Sequence, residues 1–326
     1  MSERVDPDIE LMTEIARRYY VQGETQEAIA GRLGMSRIKV GRMLKRAQGE
    51  GIVDVRVRQH PAVSAGIEQA LIQRFGIRRA LVALDDDDAE RQRHEVSSLV
   101  ADHLARSLED GTLVAVGMGR NVGTVADNVF TQSVRQCAFI CAIGGSLRAG
   151  EYMNPDHICR RLAAKFGGES ETLYAPAMVA NPELRDAMLD NPTVRQTLDR
   201  ARRADIAMIG VGDLSENSNM VRMGWFSPQE IAEARLSGTV GDMMGYEFID
   251  LNGRPSHTPM QRRVIGLTIA DLGRIPEVIA IASESTKAAG ILGALRTGVI
   301  DVLATSATNA HTILHLDEAT RGAPGA

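Results

Sequence analysis

The chain has 326 residues, of which 44% are hydrophobic and 24% are charged, and it carries a formal net charge of −5. Its sequence contains no apolar run long enough to span a bilayer and no apolar segment typical of a secretory signal near residue 1, which argues against membrane and secreted proteins. The negative net charge argues against binding of polyanions through bulk charge. The length suits one small and one large domain, each with a hydrophobic core, and we expect both in the cytoplasm.

Residues 25 to 47 predict two short helices joined by a tight turn. Thr25 is suited to cap the first helix, Gly34 to end it in a left-handed conformation, and Ser36 to cap the second. Apolar residues of the second helix recur at i, i+3, i+4 and i+7 and form one stripe: Val40, Met43, Leu44 and Ala47. An amphipathic helix at residues 9–20 can cover the apolar side of this pair.

Basic side chains cluster on the part of the second helix that the apolar stripe leaves free. Residues 31–50 contain six basic residues and one acidic residue. A helix that buries one side and presents basic residues on the other can lie in the major groove of DNA, although a helical hairpin with a solvated basic face has the same pattern. We expect DNA contacts from the caps, the start of the first helix and the basic residues of the second: Thr25, Gln26, Ser36, Arg37, Lys39, Arg42, Lys45 and Arg46.

A β-strand is predicted directly after the helix pair. Glycines at 49 and 51 break the second helix, and residues 52–58 alternate β-branched with polar side chains. Such a strand would form the wing of a winged helix-turn-helix. His60 and Pro61 end this region, so we assign residues 1–60 to a winged helix-turn-helix DNA-binding domain and residues 61–326 to a domain for effector binding and oligomerisation.

Short apolar runs alternate with helix-like stretches in the rest of the chain. The runs occupy residues 79–84, 113–117, 137–143, 206–212, 278–282 and 299–305. This alternation predicts a mostly parallel sheet with helices on both faces, which is a Rossmann-like α/β domain. The four aspartates at 85–88 predict a solvated loop after the first strand, with a metal-binding role as the alternative.

Metal and cofactor sites have little support in the sequence. Cys137, Cys141 and Cys159 cannot all pair, and an odd, sparse set of cysteines is typical of a reducing compartment. A metal site formed by these three thiols and His157 is the alternative to ordinary buried cysteines. We expect neither a metal nor a cofactor.

Three predicted strands are followed directly by glycine-containing turns, at residues 117–123, 143–148 and 210–214. Glycines at strand ends let backbone N–H groups approach a ligand, and parallel sheets bind ligands at the carboxyl ends of their strands. The first turn departs from the dinucleotide-binding fingerprint, because Val122 stands in the place of the third glycine. Together the turns favour a phosphorylated or polyhydroxyl ligand, and the alternative for each is a tight turn selected for its geometry.

Two later segments add polar candidates. Asp242, Tyr246 and Asp250 lie in the segment 241–255, and carboxylates can accept hydrogen bonds from sugar hydroxyls. Lys287 lies near the start of a helix that follows the apolar run 278–282. A lysine in that position suits a phosphate, and a solvated lysine is the alternative.

Taken together, these segments resemble the SorC/DeoR-like family of bacterial sugar-binding transcriptional regulators over nearly the whole chain. The resemblance is carried by residues 16–57, by VAVGMGRNV, AIGGS, NPDHICRRLAAKFGG, LYAPAMV, ADIAMIGVGDL and GDMMGYEFIDLNGRP, and by the block from VIAIASESTK to VLATSATNA. It implies an N-terminal DNA-binding domain and a C-terminal effector domain similar to sugar-phosphate isomerases and CoA transferases. It also implies a protein that is usually tetrameric, in which a phosphosugar or related metabolite alters operator affinity.

The positions of Gly144, Gly145, Ser146, Asp242 and Lys287 match effector contacts in that resemblance. With the glycine turns and the polar segments, they give the candidate effector contacts: Gly117, Gly119, Arg120, Asn121, Gly144, Gly145, Ser146, Asp242, Tyr246, Asp250 and Lys287.

The chain departs from the family pattern close to these candidates. Ser283 and Glu284 stand where family members often have two glycines, and Asn121 stands where they often have threonine. Residues 305–307 read Thr-Ser-Ala in place of Thr-Asp-Glu. These departures bear on which effector binds and on whether it is phosphorylated.

Two classes of function fit the sequence. The favoured one is a ligand-responsive transcriptional regulator of a carbohydrate-catabolism operon, which binds double-stranded operator DNA as a homodimer or homotetramer. Paired recognition helices would then require a pseudo-palindromic operator. The alternative is an enzyme similar to sugar-phosphate isomerases or transferases with an appended helical domain. The sequence shows no convincing pair of carboxylate and lysine or of nucleophile and base, so we expect no catalytic residues.

Overall fold

The computed structural model of this chain describes residues 7–53, 60–131, 134–216, 218–256 and 258–321. Its contacts divide the chain into two compact units, Met1–His60 and Pro61–Ala326. Each unit has its own hydrophobic core. None of the described helices is long and apolar enough to cross a membrane.

The described part of the first unit is helical. Its elements are α1 (Pro7–Ala16), a π-helical continuation of α1 (Arg17–Val21), α2 (Gln26–Leu33) and α3 (Arg37–Gly49). The hydroxyls of Thr25 and Ser36 accept hydrogen bonds at 3.2 Å from N–H groups in the first turns of α2 and α3. Gly34 has a φ of 62°, a left-handed conformation that costs glycine little because it has no Cβ. The predicted caps and turn are therefore confirmed.

The apolar stripe predicted for the second helix is part of the core of this unit. The buried core residues are Met12, Ile15, Ala16, Ile29, Ala30, Val40, Met43, Leu44 and Ala47. Ile52 and Val53 pack against the same core. Residues 54–59, and with them most of the expected wing, lie outside the described residues.

The second unit alternates helices and strands. Its helices are α4 (Ala65–Phe75), α5 (Ala89–Ser107), α6 (Arg120–Asn128), α7 (Gly150–Met153), α8 (Pro155–Phe166), α9 (Pro182–Asp190), α10 (Pro192–Ala201), α11 (Asn219–Arg222), α12 (Pro228–Leu236), α13 (Ile269–Leu272), α14 (Ala288–Arg296) and α15 (Ala307–Arg321). Its strands are β1 (Arg79–Ala83), β2 (Leu113–Val116), β3 (Ala138–Cys141), β4 (Glu169–Glu171), β5 (Ile206–Gly212), β6 (Thr239–Met243), β7 (Glu247–Asp250), β8 (Glu277–Ala282) and β9 (Val302–Ser306). Single 3-10 turns occupy Pro61–Val63, Gln261–Arg263 and Ser285–Lys287.

Seven strands form a parallel sheet in the order β1-β9-β8-β5-β2-β3-β4. β6 and β7 form an antiparallel hairpin, and β6 pairs with the end of β5, where Gly212 lies opposite Asp242. The predicted α/β fold with a mostly parallel sheet is confirmed, and each of the six predicted strands is present. The short, polar strand β4 and the β6–β7 hairpin were not predicted from the sequence.

The order of the strands reverses between β2 and β5. From β2 the chain adds β3 and β4 on one side, whereas from β5 it adds β8 and β9 on the other side. At such a point the connecting segments leave the sheet in opposite directions, so a crevice opens at the carboxyl ends of the strands. The fold therefore offers a binding site beside the turns that follow β2 and β5.

Burial of both faces of the sheet explains its apolar strands. β3 and β9 are buried over their whole length, as expected for parallel strands between two helical layers. Cys141 and Cys159 lie in this core with their sulfurs 3.9 Å apart, and Cys137 is a third buried free thiol. Among the residues that the structure describes, no group of three or more His, Cys, Asp or Glu side chains is placed to hold a metal ion.

The aspartates at 85–88 connect β1 to α5. Asp88 accepts hydrogen bonds from the N–H groups of Glu90 and Arg91 and thereby caps α5. Asp86 pairs with Arg91 at 2.8 Å. The predicted solvated loop is confirmed: Asp86 and Asp88 serve the start of α5, and Asp85 accepts hydrogen bonds from Thr308 at the start of α15.

α14 crosses the β5–β6 pair at glycine positions. A Cβ on Gly290 would lie 2.6 Å from Gly212 O, and a Cβ on Gly241 would lie 2.5 Å from the Cα of Gly290. Side chains do not fit at these distances, so the helix and the strands touch through their backbones. This contact holds the start of α14 beside the hairpin.

We expect Gly290→Ala to lower the free energy of unfolding by about 1–3 kcal/mol, which is the usual cost of overpacking a filled interior. Gly66→Ala in α4 is the matched control, because a Cβ there meets nothing within 4 Å. The control should raise the free energy of unfolding by roughly 0.5–1 kcal/mol, since alanine loses less entropy on folding than glycine. Urea unfolding followed by circular dichroism measures both changes. Equal effects of the two substitutions would contradict a backbone contact at Gly290.

Candidate functional site

A cavity of about 230 Å³ lies in the crevice where the strand order reverses. Its walls are formed by the turn after β2, the end of β5 with the loop that follows it, the β6–β7 hairpin, and the turn after β8. Five candidate effector contacts line the cavity: Gly119, Arg120, Asn121, Asp242 and Lys287. The fold thus brings together candidates from three segments that are far apart in the sequence.

Asp242 of β6 is a buried carboxyl with one unpartnered oxygen. The residue is 1% exposed. Its Oδ1 accepts a hydrogen bond from the Gly245 N–H at 2.6 Å, whereas its Oδ2 lies against Gly212 without a hydrogen-bond partner in the described chain. Burial raises the pKa of Asp242 to about 7, although the Gly245 N–H and the Lys287 ammonium oppose the rise. Near neutral pH the carboxyl is divided between its protonated and ionised forms, so it can donate to or accept from a ligand hydroxyl.

Lys287 and Asn121 both bind the carboxylate of Glu284. Lys287 Nζ lies 2.8 Å and Asn121 Nδ2 lies 2.9 Å from Glu284 Oε2. Burial raises the pKa of Glu284, but the charge of Lys287 and the hydrogen bonds from Lys287 and Asn121 lower it more, so this pKa lies well below its usual range. Glu284 is therefore ionised at neutral pH and neutralises Lys287.

Asp213 is a third carboxylate at the cavity and lies in the loop after β5. Its Oδ2 accepts a hydrogen bond from the Thr286 hydroxyl at 2.6 Å, and its Oδ1 accepts from the Ser215 N–H at 3.0 Å. The bond from Thr286 connects the loop after β5 to the turn after β8, and the bond from Ser215 orders the loop itself.

Two further polar atoms of the lining lack a partner. Arg120 Nε and Ser218 Oγ are buried at the cavity and make no hydrogen bond within the described ranges. Buried polar atoms in proteins usually have partners, so these atoms and Asp242 Oδ2 are available to bond to a ligand or to water. The apolar part of the lining includes Trp225, Met220, Met223 and Met244. An apolar surface with a few placed polar groups is typical of a small-molecule site.

The structure places the remaining candidates outside the cavity lining: Gly117, Gly144, Gly145, Ser146, Tyr246 and Asp250. The Gly117 N–H donates to Met208 O at 2.8 Å, within the sheet. The Gly144 and Gly145 N–H groups each donate to a backbone carbonyl at 3.0 Å, and a Cβ on Gly144 would meet the backbone of residues 175–176. Gly117 and Gly144 therefore serve close backbone packing, whereas a Cβ on Gly145 would meet only the Asn154 side chain at 3.6 Å.

Ser146, Tyr246 and Asp250 are satisfied by groups of the fold. The backbone N–H and C=O of Ser146 both bond to the Asn154 side chain at 2.8 Å, while its hydroxyl lies 3.4 Å from the indole nitrogen of Trp225. The Tyr246 hydroxyl donates to a buried carbonyl in the core. Asp250 accepts hydrogen bonds from two N–H groups of the turn that it begins. Of these three side chains, only that of Ser146 contacts a residue of the cavity lining, Trp225, through one of these bonds.

The predicted turn at residues 210–214 lines the cavity, but the lining that comes from Ser215 and from residues 218–225 was not predicted from the sequence. This segment has neither a glycine motif nor a clear helical period, so its contribution depends on tertiary placement. The one tryptophan of the sequence, Trp225, was the signal that could have identified it, because aromatic residues are frequent in ligand sites.

In the first unit, α3 presents a face of basic side chains. Four exposed basic residues of α3 form no ion pair within the described part of this unit: Arg37, Lys39, Arg42 and Lys45. Arg46 differs, because it pairs with Glu50 at 2.6 Å and with Asp8 at 3.2 Å. Unpaired cations can meet phosphates without first breaking an internal ion pair, so the first four are better placed for DNA than Arg46.

The other candidate DNA contacts lie at the helix starts. The Thr25 and Ser36 hydroxyls accept backbone hydrogen bonds as caps, and each keeps its proton for donation. Gln26 is half-buried and lies against Gly41 of α3. Ile38, which was not among the predicted contacts, is 72% exposed in the first turn of α3. An apolar side chain there can contact a thymine methyl group in the major groove.

Comparisons with known proteins agree with both units. The family described as "Putative sugar-binding domain" matches residues 59–315. The sorbitol operon regulator of Klebsiella pneumoniae is 29% identical over 94% of this chain and 98% of its own length. The solved structure of full-length SorC from Klebsiella pneumoniae has a TM-score of 0.75 at 28% identity and covers 95% of this chain and 100% of that chain.

A third comparison concerns the second unit. The solved "putative sugar-binding domain of transcriptional repressor" from Vibrio fischeri is 50% identical, has a TM-score of 0.74, and covers 78% of this chain and 100% of that chain. The resemblance inferred from the sequence is thereby confirmed. From the span of the family match, the parallel sheet and these relatives, we conclude that the chain belongs to the sugar-binding family of SorC- and DeoR-like transcriptional regulators.

Proposed function

We propose that this protein is a ligand-responsive regulator of a carbohydrate-catabolism operon. In this proposal residues 1–60 bind double-stranded operator DNA and residues 61–326 bind a sugar, a polyol or a sugar phosphate. The main support for this proposal is the cavity at the reversal of the strand order, where three buried polar atoms have no hydrogen-bond partner in the described chain. The K. pneumoniae relative, a sorbitol operon regulator, supports this assignment by its name.

The proposed DNA contacts follow from exposure and pairing. Arg37 and Ile38 begin α3, where a recognition helix meets base edges, so we assign base contacts to them. Arg42 and Lys45 are exposed and unpaired within the described unit, so we assign phosphate contacts to them. Arg46 contributes less, since its carboxylate partners already neutralise it.

Oligomerisation is part of the proposal. A chain with a net charge of −5 and one small basic helix face has few phosphate contacts to offer. Two headpieces on successive major-groove faces, roughly 34 Å apart, double those contacts and read a pseudo-palindromic operator. We therefore propose a homodimer or homotetramer as the DNA-binding form.

The proposed effector contacts are the groups that converge on the cavity. Asp242 offers a carboxyl oxygen, while Arg120 and Ser218 offer donors, so each can bind a ligand hydroxyl. Lys287 and Asn121 line the same cavity, and both bond to the carboxylate of Glu284. Effector binding regulates only if it favours one arrangement of the headpieces over another.

An enzyme is the second candidate, and one observation favours it. A buried carboxyl with a pKa of about 7 beside a lysine is also what a general acid–base catalyst requires. The sensor and the enzyme differ in one respect, because only the enzyme converts its ligand into a product. Incubation with a panel of sugar phosphates should leave each substrate unchanged if the site is only a sensor, and catalytic isomerisation or transfer would favour the enzyme.

The DNA assignment predicts a salt signature. Arg42→Ala and Lys45→Ala should each weaken binding on every sequence and lower the slope of log K against log salt by about one, because each removes one phosphate contact. Arg37→Ala should also relax sequence preference. Fluorescence anisotropy on DNA from upstream of its own gene, at several salt concentrations, measures both effects. Arg46→Ala is the matched comparison and should change the slope less. Slopes that match the unaltered protein for Arg42→Ala and Lys45→Ala would refute phosphate contact.

Asp242→Asn should stabilise the free protein and weaken effector binding. The folded pKa of about 7 lies above the ordinary value of 3.8, so the folded state holds its proton over a range in which the unfolded state has lost it. The contribution of this carboxyl to stability is therefore complete below about pH 4 and is lost as the pH rises to about 7. Asparagine removes that loss, which is on the order of 4 kcal/mol at pH 8.

Urea unfolding of both proteins at pH 5 and pH 8 tests this expectation. The gain in the free energy of unfolding should be larger at pH 8 than at pH 5. A gain that does not depend on pH would mean that Asp242 does not titrate with a raised pKa.

A further inference from the structure

The turn before α14 already contains an anion that the chain itself supplies. Glu284 Oε2 lies 2.8 Å from Lys287 Nζ and 2.9 Å from Asn121 Nδ2. The Lys287 and Glu284 side chains are 15% and 21% exposed. One ammonium from the turn after β8 and one amide from the first turn of α6 therefore converge on a single carboxylate oxygen.

These donors are the ones that a ligand phosphate would need. Phosphates in proteins are held by lysine, by amide donors and by the amino ends of helices, and Glu284 lies where the turns that lead into α6 and α14 meet. Since its carboxylate takes the Lys287 and Asn121 donors, an incoming phosphate would have to displace it. Displacement would separate the Glu284 carboxylate from the Lys287 ammonium and leave it beside a dianion, which is costly at low exposure.

Neighbouring groups fix Glu284 in this position. Ser283 Oγ donates to Asn121 Oδ1 at 2.7 Å, which turns the amide nitrogen towards Glu284. Asn309 Nδ2 donates to Glu284 O at 3.1 Å and holds the backbone of the turn. The buried Arg93 guanidinium lies 3.5 Å from the other carboxylate oxygen. Glu284 is therefore held by residues of three helices, α5, α6 and α15.

The charge of the residues that line the cavity also disfavours a phosphate. Its ionisable side chains are two cations and three carboxyls: Arg120, Lys287, Asp213, Asp242 and Glu284. Such a set has no net positive charge to offer a dianion. The atoms that lack partners are a carboxyl oxygen, a hydroxyl and one guanidinium nitrogen, and they suit hydroxyl groups, which both donate and accept.

We infer that Glu284 is a built-in anion in the place of a ligand phosphate, and that the effector of this regulator is an unphosphorylated sugar or polyol. The inference rests on the proposed function, because it specifies the ligand class of the same cavity. Glu284 then determines specificity: it holds Lys287 and Asn121 in place and excludes phosphate esters.

Paired ligands test the inference on the full-length protein. The probes are erythritol, xylitol, sorbitol and fructose, each beside its monophosphate ester, with inorganic phosphate alone. Thermal shift identifies binders, and isothermal titration calorimetry measures their affinities. We expect at least one unphosphorylated compound to bind, and we expect its phosphate ester to bind at least about tenfold more weakly.

Glu284→Gln provides the second measurement. Glutamine keeps the size of the side chain but frees the charge of Lys287, so phosphate esters should gain about tenfold in affinity and inorganic phosphate should now raise the melting temperature. Glu318→Gln, on the exposed face of α15, is the control with the same change of charge and should leave the ligand preference unaltered.

Tighter binding of phosphate esters than of their parent compounds to the unaltered protein would overturn the inference and leave the sensor function standing. An unchanged preference in a folded Glu284→Gln variant would also overturn it. If that variant does not fold, the paired ligands decide alone. Binding of neither class would count against the sensor function itself and would remove the inference with it.

Discussion

The backbone contact between α14 and the β5–β6 pair is the constraint on which the cavity depends. Gly290 of α14 approaches Gly212 and Gly241 so closely that a Cβ at any of the three positions would meet an atom of another segment. This approach brings the start of α14, and with it Lys287, to the hairpin that carries Asp242. The charge of Lys287 then acts on the carboxyl of Asp242, which no side chain separates from Gly212. Glycine at these positions therefore determines the electrostatics of the site as well as its shape.

Two buried carboxyls of this cavity, Asp242 and Glu284, have pKa values shifted in opposite directions. Desolvation raises the pKa of both, because burial penalises the charged form. Glu284 receives an ammonium and an amide, and its pKa falls well below the usual range. Asp242 receives one backbone N–H and keeps a free oxygen, so its pKa rises to about 7. The paired carboxylate belongs to the frame of the site, and the unpaired one is free to recognise a ligand.

The parts of this structure that sequence analysis predicted are local or periodic. The caps at Thr25 and Ser36 and the six apolar strands each follow from a few adjacent residues. β4 and the β6–β7 hairpin were missed because glycine and acidic residues, which are depleted in strands, make up much of these short segments. The turn 119–121 lines the cavity as expected, whereas Tyr246 and Asp250 bond within the fold. A polar residue's partner depends on tertiary placement, as the bond from Asn121 to a residue 163 positions away illustrates.

The uncharged effector proposed above could supply the free energy that the proposed switch needs. Carrying a two-state equilibrium from 1:99 to 99:1 takes roughly 5.5 kcal/mol of differential binding. Each buried polar atom without a partner costs about 1–3 kcal/mol, and a ligand that bonds to it recovers that cost. The cavity contains three such atoms, on Arg120, Ser218 and Asp242. Satisfying all three yields the required magnitude without a phosphate, provided that the three bonds form in only one arrangement of the headpieces.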